Sequence, residues 1–315
     1  MFAMKKSLIC LIVFSMIIIC TAAVFAESFS KYTGSTYVHS SRFDKAFVKN
    51  AIDVSQYQNT IDWDKVKADG IEYAIIRVGG RGFAESGRLY FDDYYKSNIE
   101  NARRVGIKIG IYYFSQAKTE TEAIEEANHC IQLLGDYEID LPIFMDYEHA
   151  SDSNNPGRIK DLTPAQRTAN AIAFCETIEQ KGYEAGFYSN LLFLRNSIDG
   201  NKISNLYTVW AAQYYDRCQY ENHYSIWQYS SDGRVDGIEG RVDCNFWYII
   251  PMDTFNFTLS YNATEYDGKT KTPEVKVSDL VSGRDFEVTY ENNINSGTGK
   301  VIIKGKGLYS GTIEK

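Results

Sequence analysis

The chain of 315 residues carries 33 Lys and Arg against 41 Asp and Glu, a formal net charge of −8 at pH 7. That acidic balance argues against nucleic acid as a partner, since binding phosphate backbones requires clustered Lys and Arg. The one long apolar run lies at the N-terminus, so no membrane span is expected in the mature protein.

In chain order, Lys5 and Lys6, the apolar stretch from Leu8 to Ile19 and the small-residue site Val24-Phe25-Ala26 form the three parts of a signal peptide over residues 1–26. The protein is therefore expected to be exported, starting near Glu27 with a net charge of −10. A lipid anchor at Cys20 is the rival reading and ranks lower, because Ile19 precedes it where a small residue is expected. Two of the six cysteines lie in this leader. Cys130, Cys175, Cys218 and Cys244 remain, too widely spaced for a metal knuckle; they are either paired or buried thiols, and Cys218 with Cys244 is the pairing to test first. Residues 27–49 read as a polar leader or linker.

From Ala51 to about Tyr248, β-branched and aromatic runs alternate with amphipathic stretches, the pattern of βα units around a parallel sheet. Strands are expected at 51–55, 73–78, 108–114, 142–147, 185–188, 208–213, 225–229 and 241–246. Helices are expected at 62–68, 92–105, 120–134 and 164–181, the last with Thr163 as N-cap and Pro164 in its first turn. Eight strands suggest a barrel. The linkers between the last three strands are too short or too polar for full helices, so the barrel should be regular first and degenerate later. The fold class is α/β, a modified TIM-like barrel.

In such a barrel the loops after the strands open onto one face, where catalytic groups gather. Asp53, Arg77, Tyr113 with Phe114, Asp146 with Glu148, Tyr188, Gln213 with Tyr214, Trp227 with Gln228, and Asp243 all fall at that end of successive strands. Asp146 and Glu148 carry the most information. They sit two apart on one strand, so they point the same way about 6–7 Å apart. Two carboxyls that close cannot both ionise freely, and an acid that keeps its proton beside an ionised partner is what glycosidic cleavage requires. The competing reading is a pair of solvated acids leaving a strand end.

After Pro251 the composition shifts toward Asn, Thr, Gly and Tyr. Short alternating runs at 274–277, 286–290 and 300–303 read as a small all-β module over residues 251–315. Its length is short of a full sandwich of about 100 residues, so an incomplete module is expected.

The stretches Ala51-Ile-Asp-Val-Ser-Gln56, Tyr112-Tyr-Phe114, Phe144-Met-Asp-Tyr-Glu148, Gly186-Phe-Tyr188, Trp210-Ala-Ala-Gln-Tyr214, Trp227-Gln-Tyr229 and Gly240-Arg-Val-Asp-Cys-Asn245 resemble, in order, the motifs of family-25 glycoside hydrolases. Those are lysozymes acting on the glycan strands of peptidoglycan. The resemblance implies a hydrolase barrel over residues 50–250, with five βα units followed by strands lacking full helices. It implies Glu148 as general acid and Asp146 as the group that orients the substrate N-acetyl, with Asp53 and Asp243 as the remaining two acids. It implies no cofactor and no metal. Tyr113, Phe114, Tyr188, Trp210, Tyr214 and Trp227 are the candidate sugar platforms, with Gln213 and Gln228 reaching hydroxyls. For Trp210 and Trp227, barrel core is an equal reading. Arg77 either clamps a substrate group or neutralises a neighbouring acid, the second being preferred. This chain has Cys244 where the family usually has Leu after the last acid. The C-terminal stretch, including Asp285-Phe-Glu-Val-Thr-Tyr290 and Gly305-Lys-Gly-Leu-Tyr309, is similar to bacterial Ig-like repeats. A barrel glycosidase acting on chitin-like polymers and a non-catalytic wall-binding protein are the alternatives.

Overall fold

The computed structural model describes residues 26–315; the signal peptide expected at the N-terminus lies outside the described residues save for Ala26. Eight strands close into a barrel: β1 (Phe47–Val54), β2 (Tyr73–Arg81), β3 (Lys108–Ser115), β4 (Ile143–Tyr147), β5 (Ala185–Asn190), β6 (Thr208–Ala212), β7 (Ile226–Gly233) and β8 (Val242–Pro251). Neighbours in sequence are neighbours in space, and β8 closes the ring between β7 and β1. β1 to β7 run parallel, whereas β8 is antiparallel to both its neighbours. This corrects the expectation of an all-parallel barrel. The connection from β7 to β8 is a tight return with no crossover helix, and a connection that short reverses the strand.

The helices are α1 (Trp63–Ala68), α2 (Tyr95–Arg104), α3 (Glu120–Leu134), α4 (Pro164–Gln180), α5 (Leu191–Asn196) and α6 (Gly200–Leu206). Their starts are capped as the sequence requires: Asp62, Thr119 and Thr163 accept the amides of Lys65, Glu122 and Gln166 at 3.2 Å each. The two short helices α5 and α6 complete the fifth βα unit and have no counterpart among the expected elements.

Strand alternation divides the aromatic residues into two sets. Tyr73, Tyr112, Phe144, Tyr188, Trp210 and Trp247 fill the barrel interior. Tyr113, Tyr147, Phe187, Trp227, Phe246 and Tyr248 face outward into the layer that packs around it. The interior is tight: Phe144 lies over Gly186, where a Cβ would come within 2.3 Å of its ring.

Helices pack on the outside of β2 to β6, but not on that of β7 and β8. There the segment read as a leader folds into a hairpin (Glu27–Ser30 with Ser35–Val38) that packs on the bare strands. The Tyr37 ring lies 4.5 Å from that of Tyr229, 5.6 Å from Trp227 and 5.7 Å from Phe246. Ser30 Oγ meets the Tyr229 hydroxyl at 2.9 Å. His39, read from sequence as part of a polar leader, is buried, with Nδ1 2.8 Å from the Tyr248 hydroxyl and Nε2 2.8 Å from Ser28 Oγ. Burial pushes its pKa down to about 4. Cys130, Cys175, Cys218 and Cys244 are all free thiols. Of the two readings left open by the sequence, the thiols hold: Cys218 and Cys244 are unpaired, and Cys244 is committed to the outer face of β8, against Gly233 and Tyr229.

Beyond β8, strands β9 (Phe257–Leu259) and β10 (Val275–Val277) pair with each other, and β11 (Phe286–Glu291), β12 (Lys300–Gly305) and β14 (Thr312–Glu314) form a second small sheet. Together they enclose a separate core of Met252, Val275, Val277, Phe286, Val301 and Ile303. β13 (Tyr309–Ser310) adds alongside Ile250 and Pro251 at the end of β8. Glu184 ties the two parts together by accepting from Thr208 Oγ1 at 2.8 Å and from the Gly307 amide at 3.1 Å. Among the described residues, no helix is long and apolar enough to cross a membrane.

Candidate active site

The C-terminal ends of β1 to β7 open onto a cleft of about 790 Å³ whose lining includes Asp53, Asp146, Glu148 and Asp243. Each of the four acids sits on inward strand parity. Because β8 runs backwards, Asp243 stands near its start, yet it reaches the same rim and pairs in register with Asp53.

Asp53 is held by a chain of oriented donors. Its Oδ2 accepts Gln228 Nε2 at 2.9 Å and Asn245 Nδ2 at 2.8 Å. Gln228 Oε1 in turn accepts the hydroxyls of Tyr188 at 2.9 Å and Tyr214 at 3.0 Å, and Asn245 Oδ1 accepts the Trp210 indole N–H at 2.7 Å. The phenols and the indole thus fix which face of each amide is turned to Asp53. Even so, burial and then the neighbouring Asp243 hold the Asp53 carboxyl well above the usual range. Asp146 is raised likewise, by burial first, then by Glu148 and Asp53. Its Oδ1 is buried with no hydrogen-bond partner. Glu148 is raised by burial and restrained by a hydrogen bond from Asn190, while burial pushes Asp243 up to about 6.

Arg77 lines the same cleft, but its guanidinium is committed to Asp92: Nε and Nη2 both lie 2.8 Å from Asp92 Oδ2. Asp92 is fully buried and also accepts the amides of Gln56 and Tyr94. The rings of Tyr57 and Tyr90 flank the guanidinium at 5.1 and 6.0 Å. Phe114, Tyr188, Trp210, Tyr214 and Gln228 line the cleft as the sequence places them. Three expected lining residues do not. Tyr113 points outward, its hydroxyl 2.8 Å from His129 Nδ1, and it is Tyr112 that lines the cleft. Trp227 is fully buried outside the barrel, its indole N–H donating to the Gln213 carbonyl at 2.8 Å. Gln213 turns its amide to Gln219, at 2.9 Å and 2.7 Å. For Tyr113 and Trp227 the cause is alternation, which puts adjacent strand residues on opposite faces; Gln213 lies past the end of β6. Tyr57, on the single 3-10 turn Gln56–Gln58, and Tyr90, on the short strand Leu89–Phe91 that pairs with the end of β2, are also part of the lining and carry no strand-end signal. Among the described residues, no group of three His, Cys, Asp or Glu side chains is arranged to hold a metal.

A barrel with acids clustered at one mouth, two of them at the end of one strand and all displaced toward their protonated forms, ringed by aromatic faces and amides, defines a glycoside hydrolase. The chain belongs to glycosyl hydrolases family 25, whose sequence model matches residues 52–238. It is 28% identical over 240 residues to the Escherichia coli K12 protein YegX, covering 74% of this chain and 78% of that one. It is 27% identical over 193 residues to the autolytic lysozyme of Clostridium acetobutylicum, covering 61% of this chain and 53% of that one. The solved structure of the modular autolysin LytC from Streptococcus pneumoniae superposes with a TM-score of 0.59 at 28% identity, covering 71% of this chain and 52% of that one. The chain thus spans about half the length of these last two proteins.

Proposed function

We propose that the protein is an exported lysozyme that hydrolyses the β-1,4 bond between N-acetylmuramic acid and N-acetylglucosamine in peptidoglycan, at or near the cell wall. The observation that carries this reading is the buried, unpartnered Oδ1 of Asp146 beside Glu148. A buried acceptor left without a donor at the foot of an open cleft calls for one from the substrate, and the N–H of a sugar acetamido group supplies it. That donor also sorts the proton shared by the pair. Once Asp146 accepts the amide hydrogen its ionised form is favoured, and the proton stays on Glu148.

Glu148 then protonates the glycosidic oxygen as the bond to the anomeric carbon breaks. The acetamido carbonyl oxygen attacks that carbon from the other face, with its N–H steadied by Asp146. Water subsequently opens the resulting ring, giving up its proton to the Glu148 carboxylate. Asp53 and Asp243 border the developing positive charge, which draws both toward their ionised forms and is stabilised by them in turn. Exposed Tyr57 and Tyr214 offer faces to neighbouring sugars. The C-terminal strands are read as an Ig-like repeat acting as a spacer or wall-associated module.

Glu148→Gln is expected to abolish release of reducing ends from purified peptidoglycan while circular dichroism stays native; full activity would sink the assignment. Chitin oligomers digested in parallel should remain intact.

A further inference from the structure

β3 and β4 pair as far as Ser115 and Tyr147, so the strand ladder ends one residue before Glu148. The Glu148 carbonyl therefore needs another donor, and the Gln116 side chain provides it. Gln116 is fully buried, and its Nε2 donates to the carbonyls of Glu148 and Ser115, each at 2.8 Å. Its Oε1 has no partner. A buried amide with an orphaned acceptor costs stability, so its two donations are the reason for its presence. Gln116 is itself anchored, its backbone N–H donating to Glu126 Oε1 at 3.2 Å, and that buried acid on α3 also accepts Arg81 Nε at 2.7 Å. From the opposite side, Ser189 on β5 donates its hydroxyl to the Tyr147 carbonyl at 2.8 Å. The peptide that carries the candidate acid is thus clamped from both neighbouring strands.

We propose that Gln116 is a positioning residue for the proton donor: by holding the Glu148 carbonyl it fixes where the side chain starts and so how the carboxyl meets the glycosidic oxygen. This rests on reading Glu148 as the general acid. Gln116 touches no substrate, and its effect on bond breaking should appear only where the leaving group needs the proton.

The test compares the full chain with Gln116→Met and Glu148→Gln on two probes. One is soluble peptidoglycan glycan chains, and the other is a dinitrophenyl β-glycoside of an N-acetylmuramyl unit, whose leaving group departs without protonation. Gln116→Met should lower kcat on the glycan about 10- to 100-fold with KM within about threefold, since misplacing a catalytic group by about 1 Å costs on that order. On the aryl glycoside, kcat/KM, which reports the bond-breaking step alone, should stay within about threefold of the unmodified protein, and Glu148→Gln should show the same contrast in kcat/KM more strongly. Gln116→Met active on both probes, or impaired equally on both, overturns the positioning role. Glu148→Gln without the contrast between probes overturns the reading of the acid itself, and the proposal with it.

Discussion

Within the cleft, Asp243 differs from the other acids in where it comes from. It enters at the start of a reversed strand, opposite Asp53, and burial raises its pKa from 3.8 to about 6. A carboxyl raised in the folded state contributes stability that is present below its unfolded pKa and lost as pH rises through the folded one. Asp243→Asn should therefore remove part of the loss between about pH 4 and 6 and raise Tm at pH 7 by about 2–4 °C, while abolishing activity; thermal unfolding across that range measures it. The acids were legible in the sequence because each stands alone on inward parity. The misplaced residues were not, because Tyr112-Tyr113 and Trp227-Gln228 each put a polar or aromatic candidate on both faces. Counting parity from Asp146, Asp53 and Gln228 resolves Tyr112 and Trp227. Gln213 lies past the end of β6, where parity no longer rules.

Helices and strands with strong periodicity were readable to within a few residues, and α3 to its ends. The N-terminal hairpin was not, because its short strands carry Ser, Thr and Tyr with no apolar alternation of their own. Its apolar partners lie about two hundred residues away, in the outward aromatics of β7 and β8. Missing helices in that sector of the barrel were legible from linker length, but what covers the bare strands was not. Tyr37 inserts its ring among Trp227, Tyr229 and Phe246, so Tyr37→Ala should cost about 2–4 kcal/mol, as truncation of a buried aromatic does. Chemical denaturation measures it. An unchanged midpoint would mean that the hairpin is not part of the cooperative fold.

Across the whole molecule two titrations oppose each other. The carboxyls of the cleft, and Glu126, pushed up to about 7 by burial, lose stability as pH rises. His39, held down at about 4 by burial, and Glu122, drawn down to about 2 by Arg158, have the opposite sign: their contributions are present above their unfolded pKa values and lost as pH falls toward the folded ones. Tm should accordingly be greatest in mildly acidic solution, at about pH 4.5–6, and His39→Phe should flatten the acid side of that curve while leaving the alkaline side unchanged. Differential scanning fluorimetry over a pH series distinguishes the two limbs. The reversal of β8 has one more consequence. A parallel last strand would deliver the chain to the catalytic rim, but Val242–Pro251 carries it the other way, and the β9–β14 module forms at the floor. Ten residues of extended chain span about 30 Å. A surface gripped through the module would therefore lie behind the enzyme, and the sugar chain being cut would have to belong to a different layer, about a barrel's depth away.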